Sequence, residues 1–489
     1  MATPIPQNEA AFVLGEIAAT CSGRIDPACA GKRVHGVVTD SRAVQPGQLY
    51  VALRGEHHDG HKFLAQALAQ GACAALVERV DQVPAGLPAV VVADTRRALG
   101  ELAALHRARW GKTVVAITGS AGKTTTKELT AAALTALGHH VLRTQGNLNN
   151  EIGVPMTLFG LTSAHDVAVV ELGTSGPGEI ARLAQIARAD VGVVTTVSLA
   201  HTAGLGSLAD VADEKCALLR GLGKDGVAIY SADSESLRKR SAGFAARRVI
   251  SFGEHASALV QLVKHAVRAD LTTAATYKVS GRQAPLEVVL GLCGFGPALD
   301  AAAALAVVLA LHTQAQLEPA ALGLPSVAPA AGRLLPVAGP GGSLVIDDTY
   351  NANPASMAAS LHTLSTLARV RGGRSIAALA DMAELGEHSR AEHERVGREV
   401  VRLGLSAVFL CGQQMQHAAA AARDEAAASH ASVVPRIEHF SDPLDCIAPL
   451  SELLSGPTSS TDAVLVKGSR SLGMERVVQA ICGAQGRGA

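Results

Sequence analysis

Aromatic side chains are scarce in this sequence, with one Trp, four Tyr and eight Phe among 489 residues. Proteins that hold single-stranded nucleic acid stack bases on aromatic platforms, so the composition argues against that class. A charge surplus is also lacking: Lys plus Arg and Asp plus Glu each number 43, for a formal net charge of zero. A chain that wraps a phosphate backbone is basic, and no nucleic-acid partner is expected. The eight cysteines form no CxxC pair and no Cys/His ladder of metal spacing. Reduced thiols in the cytoplasm are the expected state. Long apolar runs are missing too. The longest, residues 301–311, is only about half of what a bilayer requires, so it reads as a buried helix and no membrane insertion is expected. Residues 1–10 hold neither a basic segment nor an apolar one, so no secretory signal is expected either.

Apolar residues make up 48% of the chain and charged residues 18%, enough for substantial cores. At roughly 150 residues per domain the length suggests about three domains. Short β-rich runs alternate with Ala/Leu-rich helical runs, the pattern of an α/β fold. The first block, 1–112, holds strand-like runs at 49–53, 74–77 and 89–93, then a helix over 95–110 with Asp94 as its cap. The second, 113–330, opens with a β-branched strand at 113–118, a glycine turn and a helix over 124–137. Further strands at 166–172, 191–197 and 226–231 predict a parallel sheet. A Pro/Gly-rich stretch, 320–342, marks the boundary with the third block, 331–489, which has strands at 343–348, 375–380, 407–411 and 463–467. Its helices are expected over 389–403 and 472–481.

The strongest chemical signal lies between the first strand of the second block and its helix. It reads Thr118-Gly119-Ser120-Ala121-Gly122-Lys123-Thr124-Thr125. Glycines let such a loop curl its N–H groups toward phosphate oxygens, and the helix N-terminus adds partial positive charge. Lys123 would reach the β/γ-phosphates of ATP and the Thr124 hydroxyl would face Mg²⁺. The spacing is unusual, since Gly119 lies three residues before Gly122 and not five.

Other candidates fall at strand ends, where a parallel sheet presents its functional edge. Glu171 could hold Mg²⁺. His201 reads as a loop residue and Lys215 as a residue on the surface of a helix spanning 207–219, because a bare ammonium repels a metal. Asn149 and Asn150 suit either substrate orientation or an ordinary turn. In the third block Asp348 could accept from a ribose, Arg333 could neutralise a γ-phosphate, and Lys467 and Arg470 bring two cations to the same edge. In the first block Ser41, Arg42 and the run Gly55-Glu-His-His-Asp-Gly-His61 read as polar loops lining a pocket.

Together these pieces resemble the Mur ligase family of peptidoglycan synthesis. The phosphate loop, the run Asn147-Leu-Asn-Asn-Glu-Ile-Gly-Val-Pro155, and the third-block motifs Ile346-Asp-Asp-Thr-Tyr-Asn-Ala-Asn-Pro354, Asp381-Met-Ala-Glu-Leu-Gly386 and Val466-Lys-Gly-Ser-Arg470 carry the likeness. The resemblance implies a three-domain architecture: a UDP-sugar-binding N-terminal domain, a P-loop-type central domain and a Rossmann-like C-terminal domain. It implies ATP-dependent ligation, by a monomer, of D-alanyl-D-alanine to a UDP-N-acetylmuramoyl-tripeptide. It assigns Lys123, Glu171, His201 and Lys215 to catalysis, with Thr124, Glu171, His201 and a carbamylated Lys215 at the metal. Asp300 joins the ATP contacts. Ser41, Arg42, Asn149, Asn150, Thr174, Tyr350, Asn351, Asn353, Lys467 and Arg470 join the substrate contacts. Three departures stand out: Thr174-Ser175 after the Glu171 strand, Gly296-Pro297, and Asp300 where the family's adenine-side motif has Asn. Another amide ligase of the superfamily, or a non-catalytic nucleotide-sugar-binding relative, stays open as an alternative.

Overall fold

The computed structural model describes residues 3–55, 58–199, 202–429, 434–456 and 459–483. The strand Thr113–Thr118 lies at its centre, with five of six residues buried. Side chains alternate across a strand. Val115 and Ile117 therefore enter one core, while Val114 and Ala116 enter another. A strand buried on both faces belongs inside a helix-flanked parallel sheet. That sheet has nine strands. Seven run parallel, in the order Val141–Arg143, Val167–Glu171, Thr113–Thr118, Val191–Val194, Val227–Ser231, Arg248–Gly253 and Val260–Val267. Thr273–Val279 and Leu286–Leu290 extend it antiparallel.

On one face, the helix Lys123–Ala136 packs beside Phe295–Leu311. The apolar run at 301–311 is buried as expected, but its helix begins six residues earlier. Pro297 sits in the first turn, where no backbone donor is needed. On the other face lies Thr95–Trp110, capped by Asp94, whose Oδ1 accepts from the Arg96 and Arg97 amides at 2.8 and 3.0 Å.

Leu99, Leu102 and Ala103 of that helix share a core with Val114 and Ala116. Arg107, buried on the same helix, donates to the Ala187 and Arg188 carbonyls and pairs with Asp190 at 2.8 Å. The first block's parallel sheet (Val37–Val38, Leu49–Val51, Ala74–Val77, Ala89–Val91) is thus fastened to the second by continuous packing.

The third block builds a six-stranded sheet in the order Leu335–Ala338, Leu344–Asp348, Ala463–Lys467, Ser375–Ala380, Ala407–Cys411 and Arg436–Phe440. Only its first strand is antiparallel. Pro354–Arg371, Ser389–Arg402 and Met415–Ala428 cover one face, and Ile447–Leu454 and Glu475–Cys482 the other. The last helix starts at Glu475, not 472, because Arg470–Leu472 forms a 3₁₀ turn and Gly473 turns at φ 63°. No helix of the described residues is long and apolar enough to cross a membrane.

Candidate active site

Strand order brings the distant motifs together. Thr113–Thr118 lies between Val167–Glu171 and Val191–Val194, with Ile117 opposite Glu171 and Thr118 opposite Val194. The phosphate loop therefore emerges flanked by Glu171 and by the Thr195-Thr196 pair. Above it the C-terminal sheet contributes Arg333, Tyr350 and Asp348. A cavity of about 720 Å³ lies between the two sheets, lined by Ser120 to Thr125 on one side and these residues on the other.

The loop is built by close contacts. At Gly119, φ is +150° and a Cβ would lie 2.0 Å from the Thr195 hydroxyl; at Gly122, φ is +80° and a Cβ would lie 2.2 Å from Asp300 Oδ1. Only glycine fits either position. Two residues that sequence reasoning missed, Thr195 and Thr196, hold the loop's first half. The Ser120 N–H donates to the Thr196 carbonyl at 2.9 Å, and the Ala121 N–H to Thr196 Oγ1 at 3.0 Å. Thr195 Oγ1 donates to the Ala121 carbonyl at 2.5 Å. This corrects the expectation that the whole loop cradles phosphate. The amides of Ser120 and Ala121 are committed inside the protein, and the N–H groups left for an anion begin at Gly122, the N-cap of the helix Lys123–Ala136.

Lys123 is half-buried in the cavity wall and donates to the Gly119 carbonyl at 2.8 Å, and desolvation pulls its amine below the ordinary lysine range. Arg333 stacks on Tyr350, its guanidinium carbon 4.1 Å from the ring centroid. Arg333 is also near enough for its charge to act on both Lys123 and Asp300. Asp300 faces Gly122 and receives the Thr126 hydroxyl at 3.2 Å. Burial raises its carboxyl from 3.8 to about 8.

The folded chain thus keeps a proton that the unfolded chain releases near pH 4, so Asp300 makes stability fall as pH rises from about 4 to about 8. Asp300→Asn is expected to gain on wild type between pH 6 and 8, by on the order of 2 kcal/mol. Denaturation midpoints at the two pH values check this. A difference that does not change with pH would mean the carboxyl is ionised throughout.

Several candidates prove to be committed within the protein. Asp348 and Lys467 stand opposite each other in the strand register and pair at 2.5 Å, both buried. Asp348 also accepts from the Leu334 amide and the Ser360 hydroxyl, and Lys467 donates to the Asn351 carbonyl. Both residues line the cavity, and the pair braces its wall. Asn353 caps the helix Pro354–Arg371, and Asn150 caps the turn into Gly153–Phe159 by accepting from the Ile152 and Gly153 amides. Thr174 donates to the Gly176 carbonyl within its own loop. Arg470 lines the cavity beside Glu475, 3.5 Å away.

In the first block, Ser41 is buried and donates to Gln66, while Arg42 is exposed and paired with Asp40 at 2.7 Å. His61 does not line a polar pocket. Its Nδ1 meets Asp59 at 2.8 Å and its Nε2 accepts from the Glu78 amide at 2.9 Å. Both ring nitrogens are used within the fold. Glu56 and His57 of the same run lie outside the described residues.

Glu171 is buried, accepting from Thr124 Oγ1 at 2.8 Å and Asn149 Nδ2 at 2.9 Å. Among the described residues no group of three or more His, Cys, Asp or Glu could hold a metal alone. A Mg²⁺ ion bound with phosphates keeps several waters and takes only one or two carboxylates from the protein. The Thr124 hydroxyl beside the Glu171 carboxylate fits that need. His201 lies outside the described residues. Lys215 is not on the surface: it is 1% exposed on the helix Leu208–Arg220, close enough for the Lys123 charge to act on it, and burial lowers its amine to about 7.

The Mur ligase middle domain matches residues 117–308; the Mur ligase, glutamate ligase domain matches 332–470; and the Mur ligase family, catalytic domain matches 33–107. The UDP-N-acetylmuramoyl-tripeptide–D-alanyl-D-alanine ligase of Escherichia coli K12 is 39% identical over 451 residues, 91% of this chain and 93% of its own length. The enzyme of the same name from Bacillus subtilis is 31% identical over 91% of this chain and 93% of its own. Among solved structures, MurF from Acinetobacter baumannii superposes with a TM-score of 0.85 at 30% identity, covering 98% of this chain and all of that one. MurF ligase from Thermotoga maritima in complex with ADP gives 0.77 at 28% identity, over 91% and 96%. With three domain matches along one chain and relatives alike over nearly their whole length, this protein belongs to the Mur ligase family.

Proposed function

We propose that this protein joins D-alanyl-D-alanine to a UDP-N-acetylmuramoyl-tripeptide, forming an amide bond at the expense of ATP. The observation that carries the chemistry is the cleft in which the Gly122–Thr125 turn and Lys123 face Arg333 from the opposing sheet. Likeness to relatives named for these substrates, over more than nine-tenths of the chain, supports their choice. The tripeptide carboxylate attacks the γ-phosphorus, ADP leaves and an acyl phosphate forms. The dipeptide amine then attacks the acyl carbon, and phosphate departs from the tetrahedral intermediate. The first step turns a poor leaving group into a good one.

Lys123, freed from the Gly119 carbonyl, and Arg333 would take up charge on the transferring phosphoryl group. Thr124 and Glu171, with Lys215 as its carbamate, are the residues proposed to hold Mg²⁺. The bound ion would neutralise phosphate oxygens. Closure of the two sheets over the cavity keeps water from the acyl phosphate. Eight free thiols suit the cytoplasm.

The test is ADP formation by the purified protein given ATP and UDP-N-acetylmuramoyl-tripeptide, with and without D-alanyl-D-alanine. Turnover that requires both co-substrates is expected. Equal or faster turnover with other amino acids would point to a different ligase, and ADP release indifferent to both co-substrates would overturn the reading.

A further inference from the structure

Asn353 touches both halves of the cleft. Its Oδ1 accepts from the Ser356 amide at 2.9 Å, and its own N–H donates to Ser356 Oγ at 3.1 Å, closing a capping box at the start of Pro354–Arg371. That leaves Nδ2, which donates across the cleft to the Ser120 carbonyl at 3.2 Å, 233 residues away in sequence. The carbonyl belongs to the peptide unit joining Ser120 to Ala121. In a trans peptide, C=O and N–H point in opposite directions. The N–H of this same unit, on Ala121, is held by Thr196 Oγ1 at 3.0 Å. The unit is therefore pinned at both ends, by the central sheet on one side and by the C-terminal domain on the other. The next residue, Gly122, begins the turn that receives phosphate.

We propose that Asn353 is a positioning residue that makes the shape of the phosphate loop depend on closure of the C-terminal domain. With the domains apart, the Thr196 bond remains and the Ser120 carbonyl loses its only cross-domain donor among the described residues. The peptide plane then gains freedom just before the anion-binding amides. With the domains together, the plane is fixed and the amides of Gly122 and beyond are aimed. A second bridge, from Thr202 Oγ1 to the Glu384 carbonyl at 3.3 Å, ties the same two domains near the Asp381–Gly386 loop. The inference rests on the ligase reading above, and it assigns Asn353 no contact with substrate.

The two jobs of Asn353 separate by substitution. Asp and Ser cap helices about as well as Asn, and neither can donate to the Ser120 carbonyl from that position as the amide does. Asn353→Asp and Asn353→Ser are expected to keep the wild-type denaturation midpoint while kcat for ligation falls roughly tenfold, the worth of one hydrogen bond made on closure. The KM for the UDP-tripeptide should not move, whereas Asn353→Ala should lower both kcat and the midpoint. Asp adds a charge and Ser does not, so an equal loss in both variants identifies the missing donor as the cause. Wild-type kcat in the Ser variant would overturn the proposal, as would a loss seen only with Asp, which would mark charge repulsion. If either variant lost stability as Ala does, the loss of kcat would belong to the cap and the proposal would fail. A wild-type protein without dipeptide-dependent ADP formation would instead defeat the ligase reading, a distinct outcome.

Discussion

Lys123→Ala is expected to leave the fold in place and to lower ligation by about 10²- to 10³-fold, the usual cost of removing one charge donor aimed at a transition state. The fold should survive because the side chain lines the cavity, its charge is disfavoured by desolvation, and its one hydrogen bond goes to the nearby Gly119 carbonyl. Truncation removes a desolvated cation and leaves one carbonyl beside the cavity, where water can reach it. The catalytic loss should fall on kcat, since the ammonium's best partner is the charge that builds on the γ-phosphoryl oxygens during transfer. Steady-state ADP release gives the rate, and circular dichroism with thermal melting gives the fold. Near-normal turnover would remove Lys123, and with it the loop, from the chemistry.

Lys215→Ala is expected to cost on the order of 10²-fold or more, with partial recovery in acetate or propionate. An amine titrating near 7 is largely neutral at pH 8, and a neutral amine can add to CO₂. Its nitrogen bonds to carbon, one proton leaves, and a carbamate anion results. The Lys123 charge disfavours a protonated Lys215 and favours the carbamate anion. Under the proposed assignment the carbamate would join Thr124 and Glu171 in holding Mg²⁺. A free carboxylate can occupy the vacated space in the alanine variant, but without a tether it pays association entropy, so rescue stays incomplete. The sign of the pH effect follows from the lowered pKa: wild-type activity should fall as pH drops below about 7, where the amine is protonated and the carbamate is lost. Removal of bicarbonate should lower activity reversibly. Electron density ending in a plain amine, together with full activity of Lys215→Ala, would rule the modification out.

The parts of this protein that the sequence made legible are those coded by local pattern. The β-branched run at Thr113–Thr118, the helix Thr95–Trp110 with its Asp94 cap, and the strands Ser375–Ala380, Ala407–Cys411 and Ala463–Lys467 appear where periodicity put them. The glycine-lysine-threonine loop needed only its neighbours on either side. The antiparallel extension was not anticipated, although Ala275, Tyr277 and Val279, then Leu286, Val288 and Leu290, alternate with more exposed residues as half-buried strands do. Its connections carry polar residues and the Val260–Val267 strand is exposed along much of its length, which hid the period. The helix Met415–Ala428 was hidden in an alanine-rich stretch whose small side chains mark no apolar stripe.

By itself the sequence determined the layered α/β class, the phosphate loop, and the strand-end residues that belong to the family's motifs, because each is written within a few neighbouring residues. Only the tertiary structure decided which of those polar groups are free to act. Asp348 and Lys467 lie 119 residues apart and neutralise each other because their strands pair in register. Ser120 and Ala121 spend their amides on Thr196 because strand order sets that loop alongside. Lys215 occurs among charged residues on its helix yet points inward, and the low dielectric around it, not its spacing, sets its proton affinity. Hydrogen-bond partners, burial and charge neighbours are properties of three-dimensional proximity, and chain spacing carries them only where the partners are close in sequence.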